Sequence, residues 1–439
     1  FCQKYNVLLM KHTSTQTLYK LQSIATGRTF EDTGWLLEAP GENDPTLIRA
    51  IYQKQQLDAD SHNPGLYKFA DWLPVNRFLV GSVAPFTYKS KGLAAYLGLH
   101  NLYITFSGYW PEKGHLMPTC SFKETEAYSV CARLEPDNKK ILVVASAGNT
   151  ARAFAKVCSD NNIPLLLCVP EDYIDSLWFN HPIKENVKLI SSRSSGDYYD
   201  AIHLSSIVAR LDGFVAEGGA KNVARRDGMG TTVLSAVTTI GAIPDYYFQA
   251  VGSGTGAIAA WEANIRLIAD GRFGDNKMKL MVSQNEPFTP IYDAWKSKSR
   301  KILDFDENEA RLKVEIIDAK VLSNRKPPYS IIGGLYDALL DTDGDVLKAD
   351  NQSAREAAAL FEKHEGIDIH PAAAIATATL IAEVKDKKLD KEAVIMLNIT
   401  GGGEKRFKNE NELFYLKPEI IFDLNPNKNY VEEKVKRLF

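Results

Sequence analysis

From Lys139 onward, short apolar runs rich in β-branched residues alternate with segments of helical periodicity, and this alternation constrains the fold more than any other feature. The run Ile141–Ala145 is followed by a helical pattern over Thr150–Asp160 and by a second run over Ile163–Val169. Strands that alternate with helices form parallel sheets joined by right-handed crossovers. The sequence therefore predicts an α/β protein with mostly parallel sheets.

The same alternation continues to the last quarter of the chain. Further strands are predicted over Val187–Ile190, Tyr246–Val251, Met278–Val282 and Ala393–Ile399, and helices over Gly196–Leu211, Gly256–Asp270, Gln352–His364 and His370–Val384. A chain of 439 residues exceeds the roughly 250 to 300 residues at which single cores stop growing, so two open α/β domains are expected. The predicted division is an N-terminal extension over 1–76, a larger domain over 77–126 plus 240–439, and a smaller inserted domain over 127–239.

Charge and cysteine content narrow the class of partner. Lysine and arginine total 52 against 55 acidic residues, and no apolar run approaches the roughly 18 residues of a membrane span. Nucleic acid and membrane are therefore not expected as partners, small molecules are, and the cytoplasm is the expected location. The five cysteines have no CxxC spacing and the eight histidines have no metal-ligand spacing, so neither a disulfide framework nor a metal site is predicted.

The first candidate for chemistry is a lysine that follows a small polar and an aromatic residue, in Ser121-Phe122-Lys123, just before a helical stretch containing Glu126–Arg133. Partial burial lowers the pKa of a lysine toward the neutral amine that attacks an aldehyde. Lys123 is therefore a candidate for a covalent bond to a carbonyl cofactor. The alternative, a solvated lysine that begins a helix, stays open on this motif alone.

The second candidate is the run Ser146-Ala147-Gly148-Asn149-Thr150, between a predicted strand and a predicted helix. Free N–H groups at a helix start suit a carboxylate or phosphate, and glycine lets the backbone approach a ligand. The amide of Asn149 could then hydrogen-bond an aromatic hydroxyl. An ordinary N-cap is the alternative.

The third candidate, Gly252-Ser253-Gly254-Thr255-Gly256, lies at another strand-to-helix junction. Glycines and hydroxyls at such a junction form a nest of N–H donors for a phosphate. The run lacks the Lys-Ser/Thr ending of a nucleotide P-loop, and no acidic partner for a ribose is evident, so a cofactor phosphate fits better than ATP or NAD. A tight turn without function is the alternative.

The fourth candidate is Asn398–Gly403, which ends a late apolar strand with Thr400 and three glycines. Loops at the carboxyl ends of strands bind ligands in open α/β sheets. Thr400 offers a neutral side chain for hydrogen bonding there, and a glycine-rich turn without function is the alternative.

In this order, the four motifs resemble those of the pyridoxal-phosphate (PLP) enzymes of the tryptophan-synthase-β fold type. The resemblance implies PLP fold type II, in which the cofactor lies between two open α/β domains. It also implies Lys123 as the PLP lysine, Asn149 as the partner of the PLP hydroxyl, Gly252–Gly256 as the phosphate cup and Thr400 beside the pyridine nitrogen.

Within that group, Pro85–Lys89 followed by Gly98-Leu99 is similar to the threonine synthases. Threonine synthases typically have PTGSFKDR around the lysine, whereas this chain has PTCSFKETEA over Pro118–Ala127 and loses the Gly, the Asp and the Arg.

Two further segments, Phe106–Glu112 and Ala224–Gly230, make the pattern similar to the cysteate synthases, relatives of threonine synthase, over nearly the whole chain from about Phe30 to Phe407. Relatives often carry paired cysteines near the start, where this chain has only Cys2, so a metal ribbon is not expected there.

This resemblance implies a PLP-dependent β-replacement that converts O-phospho-L-serine and sulfite to L-cysteate and phosphate. Lys123 would move the α-proton, and the Ser146–Thr150 loop would hold the substrate carboxylate. Sulfite and phosphate are anions, so the site needs further cations, and Lys89, Arg225 and Arg226 are the candidates. The alternative for each is an exposed, solvated side chain.

Two other functions remain open at this point. One is a threonine synthase acting on O-phosphohomoserine, and the other is a non-catalytic sensor or scaffold with a PLP fold. Retention of Lys123 with the three other motifs argues against the second. Enzymes of this fold type are commonly dimeric, so a homodimer is the oligomer implied.

Overall fold

The computed structural model describes residues 16–59, 62–146, 148–194 and 198–439. Within these ranges the strands are β1 (Tyr19–Ser23), β2 (Thr29–Phe30), β3 (Ile48–Tyr52), β4 (Phe86–Lys89), β5 (Asn101–Phe106), β6 (Tyr109–Trp110), β7 (His115–Leu116), β8 (Ile141–Ala145), β9 (Leu165–Pro170), β10 (Trp178–Phe179), β11 (Val187–Ser192), β12 (Phe214–Ala216), β13 (Tyr246–Ala250), β14 (Lys279–Asn285), β15 (Asp345–Ala349), β16 (Val394–Ile399), β17 (Phe414–Tyr415) and β18 (Ile420–Phe422).

The α-helices of the same ranges are α1 (Gly92–Leu97), α2 (Lys123–Arg133), α3 (Asn149–Asp160), α4 (Tyr198–Val208), α5 (Val223–Ile240), α6 (Thr255–Asp270), α7 (Pro290–Lys296), α8 (Glu307–Ile316), α9 (Leu335–Asp341), α10 (Asn351–Glu365), α11 (Pro371–Lys385), α12 (Glu404–Glu410) and α13 (Lys428–Val435). Across the described ranges, none of these helices combines the length and apolarity needed to cross a bilayer.

The larger sheet has six strands in the order β15-β14-β13-β16-β5-β4, and each neighbouring pair is parallel except β4 with β5. Its strands are buried on both faces because helices cover both sides. Leu280 and Val282 of β14 join the apolar cluster that contains α5 and α6, whereas Met281 joins the cluster on the other face with α10 and α11. Successive residues of a strand point to opposite faces of the sheet, so this alternation determines which helices cover each face.

The smaller sheet has five strands in the order β12-β8-β9-β11-β18, and all its pairs are parallel. Leu165 and Leu167 of β9 pack with α2 and α3, and Leu166 packs on the opposite face with α4 and α13. The structure thus confirms the α/β class with mostly parallel sheets. Strand β8 occupies the residues predicted for it, and the other predicted strands and helices of residues 141–399 agree to within a few residues.

The N-terminal segment contains structure that its sequence did not predict. Strands β1, β2 and β3 form an antiparallel sheet in which Leu21 pairs with Ala50, and both residues belong to the apolar cluster of the larger domain. This three-stranded sheet therefore packs on the larger core, whereas Leu66 and Leu73 further along the extension pack with the smaller sheet.

Two predicted domain boundaries differ from the structure. Helix α5 had been placed in the smaller domain, but its Val233, Leu234 and Val237 belong to the apolar cluster of the larger sheet. Strand β18 had been placed in the larger domain, but it extends the smaller sheet by pairing with β11, where Ile190 opposes Ile420. Both corrections have one physical reason, because the apolar faces that these elements bury are set by neighbours distant in sequence.

Candidate active site

Two adjoining cavities, each of about 80 Å³, lie between the two sheets. Lys123, Asn149 and Ser253 line both of them, Thr150 lines the first and Thr400 lines the second. Each of these residues begins a helix or follows the carboxyl end of a parallel strand, which is where open α/β sheets bind ligands. The four motifs, far apart in the sequence, therefore meet at one place.

Lys123 begins α2, and its side chain is 20% exposed. The Phe122 N–H donates to Thr400 O at 3.0 Å, which joins the start of α2 to the loop after β16. Lys123 Nζ lies 3.2 Å from Glu126 Oε2. Burial lowers the pKa of Lys123 below its ordinary value, although the Glu126 carboxylate opposes this shift. An amine of lowered pKa is suited to attack on a carbonyl group.

Glu126 is fully buried beside this lysine, and sequence analysis did not single it out. Arg225 donates to both of its carboxylate oxygens, from Nε at 3.1 Å and from Nη2 at 3.0 Å, and Thr150 Oγ1 donates to Oε1 at 3.0 Å. Arg225 Nη1 also donates to Glu217 Oε2 at 2.6 Å. Arg225 thus lines the first cavity with its charge matched by two carboxylates.

The loop between β8 and α3 brings Ser146, Gly148 and Asn149 to the cavity wall. Gly148 has a φ of +141°, which side-chain-bearing residues rarely adopt, and its N–H donates to Ser146 Oγ at 3.1 Å. Asn149 Oδ1 accepts a hydrogen bond of 2.8 Å from Arg152 Nη2, which leaves the Asn149 NH₂ group as a donor for a ligand. Ala147, the remaining predicted residue of this loop, lies outside the described residues.

The glycine-rich loop between β13 and α6 offers backbone donors. Gly254 has a φ of +78° and caps α6, and the hydroxyls of Ser253 and Thr255 lie 2.8 Å apart. In the part of the chain that the structure describes, the N–H groups of Ser253, Gly254 and Gly256 bond to no acceptor. Unpaired N–H groups at the start of a helix are a cradle for an anion.

The loop after β16 closes the other side of the second cavity. A Cβ on Gly401 would lie 2.2 Å from His370 Nδ1, and one on Gly402 would lie 2.6 Å from Asp368 O, so the backbone approach requires glycine at both positions. His370 lines this cavity with Thr400, at the start of α11. The sequence had suggested only a helix-start role for this histidine.

The structure does not bring Lys89 or Arg226 to the cavities, which corrects the predicted anion site. Lys89 is exposed on the edge strand β4, where its Nζ donates to Asn101 Oδ1 at 3.0 Å. Arg226 is fully buried against Glu262, with Nε 2.8 Å from Oε2. Of the three predicted cations, Arg225 alone lines one of these two cavities. Its guanidinium is bonded to the carboxylates of Glu126 and Glu217.

Two groups at the site, besides Glu126, were not predicted from the sequence. The segment with Lys320, Ser323 and Asn324 lines the first cavity. Arg152, whose guanidinium lies 4.0 Å from the centroid of the Trp178 ring, fixes Asn149 from behind. Arg152 could have been suspected from its position three residues after Asn149 on one helix face, but no pattern marks the Lys320 segment.

The family model described as "Pyridoxal-phosphate dependent enzyme" matches residues 107–401, which contain all four motifs. Curated relatives extend the similarity over nearly the whole chain. The cysteate synthase of Methanosarcina barkeri is 47% identical over 95% of this chain and 99% of that enzyme. The cysteate synthase of Methanosarcina acetivorans is 49% identical over 88% of this chain and 92% of that enzyme.

The chain belongs to the cysteate synthase family. Solved structures agree on the fold of this family member, PLP fold type II. Maize serine racemase has a TM-score of 0.57 at 15% identity, covering 72% of this chain and 88% of its own. The processed threonine deaminase isoform 2 of Solanum lycopersicum has a TM-score of 0.52 at 15% identity, covering 74% and 86%. These likenesses show the fold alone.

The residues at the cavities of this family member fit PLP. Lys123 presents an amine of lowered pKa, and the unpaired N–H groups of Ser253, Gly254 and Gly256 suit a phosphate. The free amide donor of Asn149 suits an aromatic oxygen. Among the described ranges, His, Cys, Asp and Glu side chains form no group of three that could hold a metal ion.

Proposed function

We propose that this chain converts O-phospho-L-serine and sulfite to L-cysteate and phosphate with PLP as cofactor. The observation that carries this proposal is the 47% identity to a cysteate synthase over 95% of the chain. The convergence of the four motifs on one pair of cavities supports it.

The cofactor contacts are part of the proposal. Lys123 would form the covalent link, the loop Gly252–Gly256 would bind the phosphate, Asn149 would donate to the ring hydroxyl oxygen, and Thr400 would be the partner of the pyridine nitrogen. PLP, when bound, supplies an electron sink that acidifies the α-hydrogen of an attached amino acid.

The chain's own residues then handle the proton and the anions. The Lys123 amine takes the α-proton of phosphoserine, the C–O bond to the phosphate breaks, and phosphate leaves with the bonding electron pair. The sulfur of sulfite forms the new bond to the β-carbon with its own electron pair, and Lys123 returns the proton to the α-carbon. Ser146, Gly148 and Thr150, with Ala147, hold the substrate carboxylate at the start of α3.

The cation for the substrate phosphate is Lys320 in this proposal, in place of Lys89 and Arg226. Lys320 Nζ donates to the carbonyl oxygens of Val314 and Glu315 at 2.8 and 2.6 Å, at the end of α8. Across the described residues it forms no ion pair with a carboxylate, so its charge and its third N–H are open to an anion.

Ser323 and Asn324 line the same cavity and add neutral donors for the phosphate oxygens. Arg225 contributes less, because its guanidinium is already bonded to Glu126 and Glu217.

The test is to incubate the PLP-loaded protein with O-phosphoserine and sulfite and to identify the products by mass spectrometry. We expect cysteate and phosphate in equal amounts, and no product from Lys123→Ala. Borohydride reduction of the loaded wild type, followed by peptide mapping, should place PLP on Lys123. Turnover of O-phosphohomoserine to threonine, without cysteate formation, would overturn the substrate assignment and leave the cofactor assignment intact.

A further inference from the structure

The catalytic lysine of the proposed function has a carboxylate within hydrogen-bonding distance. Lys123 Nζ lies 3.2 Å from Glu126 Oε2, one turn further along α2, and Glu126 has no exposed surface. The proton transfer of the proposed function needs the Lys123 amine, but it gives no reason for a buried carboxylate beside that amine. An unpaired buried carboxylate is strongly disfavoured, so its surroundings must stabilise it.

Arg225 supplies that stabilisation through its two-pronged contact with Glu126, with distances of 3.1 and 3.0 Å. A bidentate guanidinium fixes the plane of a carboxylate and pairs with its charge. The hydroxyl of Thr150 bonds to the same carboxylate at 3.0 Å. With these partners on its far side, Glu126 presents an oxygen to Lys123.

The charged groups around the amine come from several elements. Glu126 belongs to the same helix, Arg225 comes from α5, and Glu217 precedes that helix and bonds to Arg225 at 2.6 Å. Lys320 lines the first cavity and His370 lines the second. Glu126 is the one of these five that bonds directly to Lys123 Nζ.

We infer that Glu126 is a second catalytic residue, which stabilises the ammonium form of Lys123 while that lysine carries the α-proton, and that Arg225 is its positioning residue. The inference rests on the proposed function. When the α C–H bond breaks, the proton forms a new N–H bond on Lys123 and is held in a hydrogen bond to Glu126 Oε2. It leaves along the same path when the α-carbon is reprotonated.

The physical need for this partner follows from burial. A desolvated amine is a weak base because its charged form is disfavoured, and a carboxylate at hydrogen-bonding distance restores part of its proton affinity. The Arg225 guanidinium acts in the other direction, because its positive charge lowers the pKa of Lys123. Removing Glu126 and removing Arg225 should therefore shift the proton affinity of Lys123 in opposite directions.

The first experiment uses the full-length apoprotein, without PLP or substrate. Lys123 is acetylated with trace acetic anhydride across a pH series, and peptide mass spectrometry gives the pH at which its reactivity is half-maximal. We expect Glu126→Gln to lower this midpoint by about one pH unit or more, and Arg225→Gln to raise it. Unfolding temperatures of each variant establish that it is folded.

Glu124→Gln is the matched control, since Glu124 is equally buried on the same helix but accepts its hydrogen bonds from Thr119. Its midpoint should equal that of the wild type. If Glu126→Gln leaves the midpoint unchanged, Glu126 is only structural and the inference fails. Should that variant not fold, Glu126→Asp carries the test, because its shorter side chain moves the carboxylate away from the amine and should lower the midpoint, and an unchanged midpoint contradicts the inference equally.

The second experiment measures exchange of the α-hydrogen of O-phosphoserine with deuterated solvent in the PLP-loaded protein. Loss of a positioned proton-transfer partner should slow exchange in Glu126→Gln by a factor of at least about ten, with partial recovery in Glu126→Asp. Wild-type exchange rates in Glu126→Gln would overturn the inference. If the wild type exchanges no phosphoserine hydrogen but the midpoint shifts appear, the proposed substrate is wrong and the Glu126–Lys123 pair stands.

Discussion

Arg152 Nη2 donates a hydrogen bond of 2.8 Å to Asn149 Oδ1, one turn earlier on the same helix. The guanidinium is buried, lies 4.0 Å from the centroid of the Trp178 ring, and also donates to the carbonyl oxygens of Thr119 and Ser176. The oxygen of the Asn149 amide is thereby turned toward Arg152, and the NH₂ group is kept for a ligand. A residue that contacts no ligand thus decides which end of the amide can act in binding.

Arg152→Met should lower PLP affinity by a factor of about ten or more, because a charge-assisted hydrogen bond worth roughly 1.5 to 3 kcal/mol no longer orients Asn149. Equilibrium titration with PLP measures the change. Lys408→Met is the control, since Lys408 Nζ also lies over Trp178, at 5.0 Å from the ring centroid, but does not bond to Asn149. Equal affinities in all three proteins would contradict the positioning role.

Gly254→Ala should weaken PLP binding by at least about tenfold, which corresponds to about 1.4 kcal/mol. Gly254 has a φ of +78°, which strains any side chain, and an added Cβ would lie 2.7 Å from Leu335 Cδ2, so the loop or the Leu335 side chain must shift. Gly271→Ala has almost the same φ, +79°, at the other end of α6, with no atom within 4 Å of the Cβ. This control should lose stability only through backbone strain and keep its PLP affinity, and a matching loss in both variants would argue against a cofactor role for the loop.

Lys320→Met should raise the KM for O-phosphoserine by a factor of about ten to a hundred, because one charge-assisted phosphate contact is removed. PLP affinity should stay unchanged. Lys326→Met, a change at an exposed lysine of the same segment, should behave as the wild type. Steady-state kinetics of both variants measure the KM for O-phosphoserine. An unchanged KM in Lys320→Met would show that Lys320 is not part of the anion site.

His115 should make the stability of the protein depend on pH between about 6.5 and 4. Burial lowers its pKa from 6.5 to about 4, and the positive charge of Lys68 adds to this effect. The unfolded chain therefore binds the proton more readily than the folded one, so the stability is complete above pH 6.5 and decreases as the pH falls toward 4. The loss amounts to about 3 kcal/mol, from 1.36 kcal/mol for each unit of pKa.

Urea unfolding of the wild type and of His115→Phe at several pH values tests this. His115 packs near Phe86 and Phe106, with ring centroids 5.9 and 6.1 Å away, so an aromatic replacement suits the site. Apart from a constant offset, the two stability curves should coincide near neutral pH and separate as the pH falls toward 4, where the wild type loses about 3 kcal/mol relative to His115→Phe. Parallel curves would show that His115 does not contribute to the pH dependence.

The elements that position the motifs were predictable from the sequence. In residues 141–399, the spacing of apolar residues distinguishes strands from helices, and glycines mark the junctions between them. The carboxyl ends of parallel strands then lie at one edge, which predicts the meeting of Lys123, Asn149 and Thr400 near the glycine loop.

The surroundings of that edge were not predictable in the same way. Arg225 and Arg226 are neighbours in sequence, but successive residues on a helix point about 100° apart. One therefore bonds to Glu126 at the cavity and the other to Glu262 in the core. The sequence does not show which partner a charged side chain contacts. For the same reason, it did not indicate that Lys320 lines the cavity.

Strand β18 also has a consequence for how the protein is made. It pairs with β11, yet the ribosome completes β11 long before Ile420–Phe422 emerges. Until then, one edge of the smaller sheet presents unpaired backbone groups, which are a template for association with other chains. The nascent protein therefore passes through a stage in which the smaller sheet lacks only one edge strand and is still prone to aggregation, and the synthesis of β18 ends that stage.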